Sequence, residues 1–407
     1  MLKRKERLIL KNNDQLTPEG TRDMLFEECA AKRAISERIT NIFKSYGYSE
    51  VITPGLEFYD VFNGKTRYFP QETMYKLVDG KNRLMVLRPD STMPIARLAA
   101  TRLRSEELPL KLFYNQNIFM VNPKDSGRDD EISQCGIEIL GGRTETADYE
   151  ALIIAAKSLE ACDEDYRLEI GDSGIFRELL ENYSCDDDTA DNIREWIETK
   201  NIPQLEAFFA DASTPEERAF KALPRLFGGF EVFQNAREYL KGDILEQKLS
   251  RLEKLCRELA EMIPEDRIRV DLGLANKKNY YTGIIFRGYV EGYGLPALSG
   301  GRYDTLLGHF GREAAAVGFA LNIEAAARVM LQKDREKFIK SPDVLVWSED
   351  GAEAAALKHC DDLITQGLDV RNSLSECPNC AKEYAKSHNI HRVDIVDKNG
   401  NVTSEEV

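Results

Sequence analysis

The stretch that most constrains this 407-residue chain is residues 118–134, IFMVNPKDSGRDDEISQ. Apolar residues stand on both sides of a polar loop that holds Pro123 and Gly127. This reads as a strand, a long turn and a returning strand. Side chains alternate along a strand, so Gln134 and Glu138, four apart in the returning run QCGIEILGG, share one face. The loop offers Arg128 among several acids, and Met120 sits where the first strand gives way to it. A hairpin of this shape suits an anion, yet the charge that would grip one is thin.

Around the hairpin the pattern alternates. TPEG at residues 17–20 sets up a first long helix, with Leu25, Cys29, Ile35, Ile39, Ile42 and Phe43 at helical spacings and Gly47 as its stop. YSEVITPGLE reads as a strand broken by Pro54 and Gly55, and MYKLVDGKNRLMVL as a hairpin around Asp79-Gly80. In RPDSTMPIARLAATRL a helix begins, with Asp90, Ser91 or Thr92 as its cap and Pro94 in its first turn. TADYEALIIAAKSLEAC is amphipathic, and YRLEIGD is a strand.

Residues 173–264, roughly, are helical and heavily charged, which predicts a helical insertion. Strands return at DRIRVDLG, NYYTGIIFRGYV and PALSGGRYDTLL, and AAVGFALNIEAAARVM reads as a strand bending into a helix. From Ser341 the pattern alternates β and α, which predicts a small α/β domain over 341–407 beside a larger domain over 1–340.

Composition narrows the chemistry. A hydrophobic share of 42% can bury a sizeable core, while a net charge of −15 opposes broad nucleic-acid binding, because phosphates are gripped by Lys and Arg. The N-terminal MLKRKERLILKNN is basic, but its apolar run is too short for a secretory signal. No stretch approaches a membrane span. Eight scattered cysteines then point to a reducing cytoplasm and free thiols.

Cys377-Pro-Asn-Cys380, with His388 and His391 downstream, is a lone C-x-x-C. Zinc wants four converging ligands, and here the spacing favours a plain helix N-terminus, so no metal is expected. The chain has four His, none in a nucleophile-base arrangement with Ser or Cys, and it has no Walker A loop. No catalytic residue and no cofactor are assigned. An amide and a carboxylate at Gln134 and Glu138, near Asp90 and Thr92, would suit an ammonium group. Tyr280, Tyr281 and the Gly300-Gly301 pair could add a phenol and a close backbone approach. Each of these residues, read alone, is equally an ordinary surface or edge residue.

Taken in order, TPEGTRD, YSEVITPGLE, LRPDST, the hairpin with QCGIEILGG, ADYEALI, NYYTGIIF, SGGRYDTLL and AVGFALNIE resemble the class II aminoacyl-tRNA synthetases, and most closely the histidyl branch. The resemblance covers about Thr17 to Met330. It implies an α+β fold, an antiparallel sheet flanked by helices, and a C-terminal relative of the anticodon-binding domain. It also implies a histidine pocket made by Asp90 in place of the family Glu, Thr92, Gln134, Glu138, Tyr280, Tyr281, Gly300 and Gly301.

Three departures fall on the nucleotide side. The family ends its first hairpin strand Phe-Arg-x-Glu, where this chain has Phe119-Met120-Val121-Asn122. Its last helix begins Gly-Leu-Glu-Arg, where this chain has Asn322-Ile323-Glu324-Ala325. The family Arg before the paired tyrosines falls on Asn276. Arg128 remains as the anion-binding candidate.

A kept amino-acid pocket with a lost phosphate clasp resembles the regulatory subunits of ATP phosphoribosyltransferase. That resemblance implies no catalysis by this chain alone. It implies a hetero-octamer with a short catalytic subunit, self-association as a dimer, and histidine as a feedback effector. The competing readings are a working histidyl-tRNA synthetase, another ATP-dependent amino-acid ligase, and a free-standing amino-acid-binding protein.

Overall fold

The computed structural model describes residues 15–63, 69–123, 128–275 and 280–407. The basic N-terminal segment, Gly127 at the hairpin tip and Asn276 lie outside the described residues. The chain divides into two compact units after Lys333.

The first unit is built on strands β1 (Ser49–Glu50), β2 (Leu56–Phe58), β3 (Lys76–Val78), β4 (Leu84–Leu87), β5 (Leu110–Phe119), β6 (Glu131–Leu140), β7 (Tyr166–Asp172), β8 (Phe227–Gly228), β9 (Ile268–Asp271), β10 (Ile284–Val290), β11 (Leu298–Arg302) and β12 (Ala316–Asn322). A nine-stranded sheet runs in the order β1-β5-β6-β12-β11-β10-β7-β9-β8. Its centre is antiparallel, as the sequence predicts. The β1/β5 and β7/β9 pairs are parallel, so the sheet as a whole is mixed. The β5–β6 hairpin pairs Leu110 with Leu140 and Phe119 with Glu131, leaving no slip between its long strands. A small sheet, β2-β4-β3, stands apart from it.

The helices of this unit are α1 (Phe26–Ser45), α2 (Asp60–Asn63), α3 (Thr92–Thr101), α4 (Thr144–Cys162), α5 (Ser173–Asn182), α6 (Asp187–Glu198), α7 (Ile202–Phe208), α8 (Pro215–Ala222), α9 (Glu231–Ala236), α10 (Asp243–Leu259), α11 (Leu306–His309) and α12 (Ile323–Lys333). Helix α1 buries Ala31, Ile35, Ile39 and Phe43, one helical stripe, and ends where Gly47 takes a positive φ of 80°. Helices α5 to α10 fill the charged stretch. Polar caps start several of them, including Asp186 on α6 and a reciprocal Thr214–Glu217 box on α8.

The sheet has two unlike faces. On one, Phe43 of α1 meets Phe113 and Phe319, and Leu159 of α4 sits where any Cβ on Gly288 would collide with it. Arg302 and Asp148 form a buried ion pair on this side, at 2.6 Å and with side chains 3% and 2% exposed. The other face carries the rows Leu112–Glu138–Gly318–Gly301–Ile285 and Tyr114–Gly136–Ala320–Ser299–Arg287, read straight from the register. Its middle is made of small residues, and the Tyr114 ring, the Glu138 carboxylate and the Tyr281 ring pack over Gly136, Gly318 and Gly301.

In the second unit, strands β13 (Val344–Ser348), β14 (Val370–Asn372), β15 (Arg392–Val396) and β16 (Val402–Glu406) form one sheet with helices α13 (Glu353–Thr365) and α14 (Pro378–Ser387). Val344 and Val346 pack under α13, and Leu345 and Val393 under α14. The closing strand β16 is antiparallel to β15 and was not expected from the tail sequence. The expectation of free thiols holds for Cys29, Cys135, Cys162, Cys185, Cys256 and Cys360, but Cys377 and Cys380 are joined. Cys377 caps α14, so the motif does form a helix N-terminus, and that geometry brings the two sulfurs together. His388 stacks on Tyr384 at 3.9 Å. Among the described residues no group of acidic, His or Cys side chains is arranged to hold a metal, and no helix is long and apolar enough to cross a membrane.

Without Asp148 the buried Arg302 would keep only the more exposed Asp304 as its charge partner, and breaking a buried pair from one side is strongly destabilising. Asp148→Ala is therefore expected to lower unfolding stability by about 3 kcal/mol or more. A urea titration measures it, and a loss below about 1 kcal/mol, the size of an exposed pair, would contradict the role given to Asp148.

Candidate functional site

Glu138 is the deepest charged group of the sheet's second face, only 1% exposed. A carboxylate so buried must be hydrogen-bonded, and separate elements provide the donors. Thr92, the first residue of α3, donates its hydroxyl to Oε1 at 2.8 Å. Tyr303, just past β11, donates its phenol to Oε2. Burial, then the charge of Glu138, pushes the Tyr303 phenol well above its ordinary pKa, so it stays a donor. Gly318 of β12 lies opposite, where an added Cβ would sit 1.9 Å from Oε2.

The start of α3 is fixed by Asp90, whose carboxylate accepts from the Met93 amide at 3.2 Å. Asp90 thus positions Thr92 as well as facing the cluster. The rings of Tyr280 and Tyr281 lie 4.7 Å apart, and Tyr280 meets Tyr303 edge-on at 6.0 Å. Burial leads, and Asp90 follows, in raising the Tyr280 phenol well above its usual value. Gln134 is half-buried on the same face of β6 as Glu138, opposite Gln116 and Asn322.

The two glycines separate. Gly301 faces the Glu138 side, where a Cβ would meet the Tyr281 ring at 2.8 Å. Gly300 points through the sheet, where a Cβ would meet Phe319 at 2.5 Å and Phe286 at 2.7 Å. Successive strand residues face opposite ways, so Gly300 packs the helix side and is not part of the pocket floor.

Beside this cluster opens a cavity of about 570 Å³, lined among others by Arg128, Tyr281, Arg287, Tyr289, Ser299 and Ala325. Arg128 is exposed at its mouth. Ala325 is 2% exposed, and its amide donates to Asn322 Oδ1 at 3.1 Å, as does that of Glu324 at 3.0 Å, so Asn322 caps α12. Met120 is pinned by its backbone to Asp130, and the Asn122 amide donates to Asp130 Oδ1 at 2.9 Å. The hairpin mouth is held by neutral and acidic groups.

Tyr303, Gly318 and Arg287 were not singled out as site residues in the sequence. Tyr303 follows Gly301 by two, a strand period that signals the same side. Gly318 interrupts an apolar run. Arg287 is a charge in the middle of the buried strand IIFRGYV.

These features define a synthetase-like class II sheet that carries a buried carboxylate cluster beside an open cavity. The sequence family described as histidyl-tRNA synthetase matches residues 20–326. A solved structure described as an ATP phosphoribosyltransferase regulatory subunit/histidyl-tRNA synthetase from Bacillus halodurans superimposes with a TM-score of 0.82 at 27% identity, covering 95% of this chain and 99% of that one. A histidyl-tRNA synthetase from Nostoc shares the fold at a TM-score of 0.73 and 20% identity, covering 97% of each chain.

Among curated relatives, the ATP phosphoribosyltransferase regulatory subunit of Clostridium botulinum is 37% identical over 83% of this chain and 81% of its own length. That of Clostridium acetobutylicum is 36% identical over 97% and 98%. The chain belongs to the family of ATP phosphoribosyltransferase regulatory subunits, a histidyl-tRNA synthetase-like group.

Tyr303→Phe removes one donor from a buried carboxylate and should cost about 1–3 kcal/mol. Gly318→Ala places a methyl against both Glu138 and the Ile137 carbonyl, 2.4 Å from its ideal position, and should cost more. Chemical denaturation of the pair tests this ordering, and two neutral substitutions would refute the packing described for Glu138.

Proposed function

We propose that this chain is a non-catalytic, histidine-sensing subunit of an ATP phosphoribosyltransferase in histidine biosynthesis, working in the cytoplasm. The observation that carries the reading is a contrast within one face. The Glu138–Thr92–Tyr303 cluster is complete, while the positions that would clasp a triphosphate hold Met120 and Ala325. A buried carboxylate suits a cationic or N–H-bearing end of an amino acid. A phosphoryl group needs concentrated positive charge. The names of the relatives point the same way.

In this reading Asp90, Thr92, Gln134, Glu138, Tyr280 and Tyr281 receive histidine, and Gly301 gives the Tyr281 ring its place. The chain works with a short-form catalytic subunit in a hetero-octamer, without a cofactor of its own and without nucleic acid or membrane. Self-association as a dimer has physical support in the small sheet, where Leu56, Phe58, Leu77, Val78 and Leu84 are between 42% and 65% exposed. Apolar clusters of this kind mark interaction surfaces.

Two measurements test the proposal. Histidine-dependent exchange between pyrophosphate and ATP should be absent, because each missing charge-assisted contact is worth about 1.5–3 kcal/mol and several together slow activation by orders of magnitude. Turnover near that of a working synthetase would sink the non-catalytic reading. In the complex with the catalytic subunit, Glu138→Gln should leave assembly and turnover intact. It should raise the histidine needed for inhibition by about tenfold or more. Superimposable inhibition curves would remove Glu138 from the sensing pocket.

A further inference from the structure

Arg287 has no part in the cluster around Glu138, yet it rises from the same face of the sheet and lines the adjoining cavity with Tyr281 and Ser299. Register places it three strands away from Glu138 and two residues further along. Strand spacings of roughly 4.8 Å and a rise of roughly 3.3 Å per residue put the two Cα atoms on the order of 16 Å apart. Between them lie Gly318 and Gly301, over which the Glu138 carboxylate and the Tyr281 ring are packed, then Ala320 and Ser299. Tyr281 lines that cavity and stands between the buried carboxylate and the guanidinium. A zwitterion lying along Tyr281 would set its cationic end toward Glu138 and its acid end toward Arg287.

The partner of Arg287 is Glu198, the last residue of α6 in the helical insertion. Their side chains are 21% and 14% exposed. The contact is imperfect, because Glu198 Oε2 is buried and has no hydrogen-bond partner. A carboxylate at a helix C-terminus also faces the negative end of the helix dipole. Glu198 is thus held mainly by Arg287, and a better-placed carboxylate can replace it. The cavity lining balances Arg128, Arg287 and Arg328 against Asp129, Glu198 and Glu324. That balance fits one exchangeable carboxylate better than a polyphosphate, which calls for an excess of cations. The insertion touches the pocket at a second point, where Arg177 of α5 donates to the Tyr281 carbonyl.

We propose that Arg287 receives the α-carboxylate of the effector amino acid in exchange for Glu198, so that binding releases the end of α6 and is felt by the helical insertion. The proposal rests on the amino-acid-sensing reading above and names the residue that reads the acid end of the ligand.

The test is calorimetric titration of the full chain with L-histidine and with histidinol, in which an alcohol replaces the carboxylate. The wild type should bind histidine roughly tenfold or more tightly than histidinol. Arg287→Met should collapse that ratio toward one. Glu198→Gln, which removes the competing charge, should tighten histidine binding several-fold. An Arg287→Met protein that keeps the wild-type ratio overturns the assignment while leaving histidine sensing in place. A wild type that binds neither compound overturns histidine sensing and this proposal together. Should Arg287→Met not fold, Glu198→Gln decides: unchanged or weaker histidine binding overturns the exchange.

Discussion

A carboxylate with 1% exposure is the constraint around which this domain is arranged. Glu138 cannot sit in the centre of a nine-stranded sheet unless donors reach it from elsewhere. Thr92 reaches it from the start of α3, and Tyr303 from the end of β11. The neighbouring strand must then give way, and Gly318 does so. Once one face is committed to this cluster and its small-residue floor, the opposite face must supply the core. Phe43, Phe286, Phe319 and Leu159 pack there, with Gly300 accommodating them.

The nucleotide side implied by the synthetase resemblance is neutral at two positions. At the positions where the synthetase resemblance calls for phosphate-binding arginines, Met120 is held by backbone pairing and Ala325 is buried under an Asn322 cap. These are not empty slots awaiting a side chain. Their hydrogen bonds are met locally, which makes the neutral arrangement self-sufficient. The charges that remain in the cavity are balanced, and the Arg287–Glu198 pair spans from the sheet to the insertion.

Much of this was legible in the sequence because it is local. The β5–β6 hairpin follows from alternation on either side of a polar loop. The start of α3 follows from Asp90 and Pro94, and the turn from β12 into α12 from the change of period after Asn322. The Gln134–Glu138 face follows from strand parity. What was not legible depends on partners distant in sequence. Tyr303 finds Glu138 across 165 positions, and Arg287 finds Glu198 across 89. Gly300 and Gly301 read as a pair in the motif, although strand parity separates them. The Cys377–Cys380 bond is not legible because composition speaks only to compartment, while the helix cap geometry is what brings the sulfurs together.

The regulatory reading is tested most directly by reconstitution. Phosphoribosyl transfer from phosphoribosyl pyrophosphate to ATP is measured for a purified short-form catalytic subunit alone, then with this chain, then across a histidine titration. The account predicts little turnover by the catalytic subunit alone, a large gain on adding this chain, and loss of that gain as histidine rises. A catalytic subunit whose rate and histidine response are indifferent to this chain would contradict it.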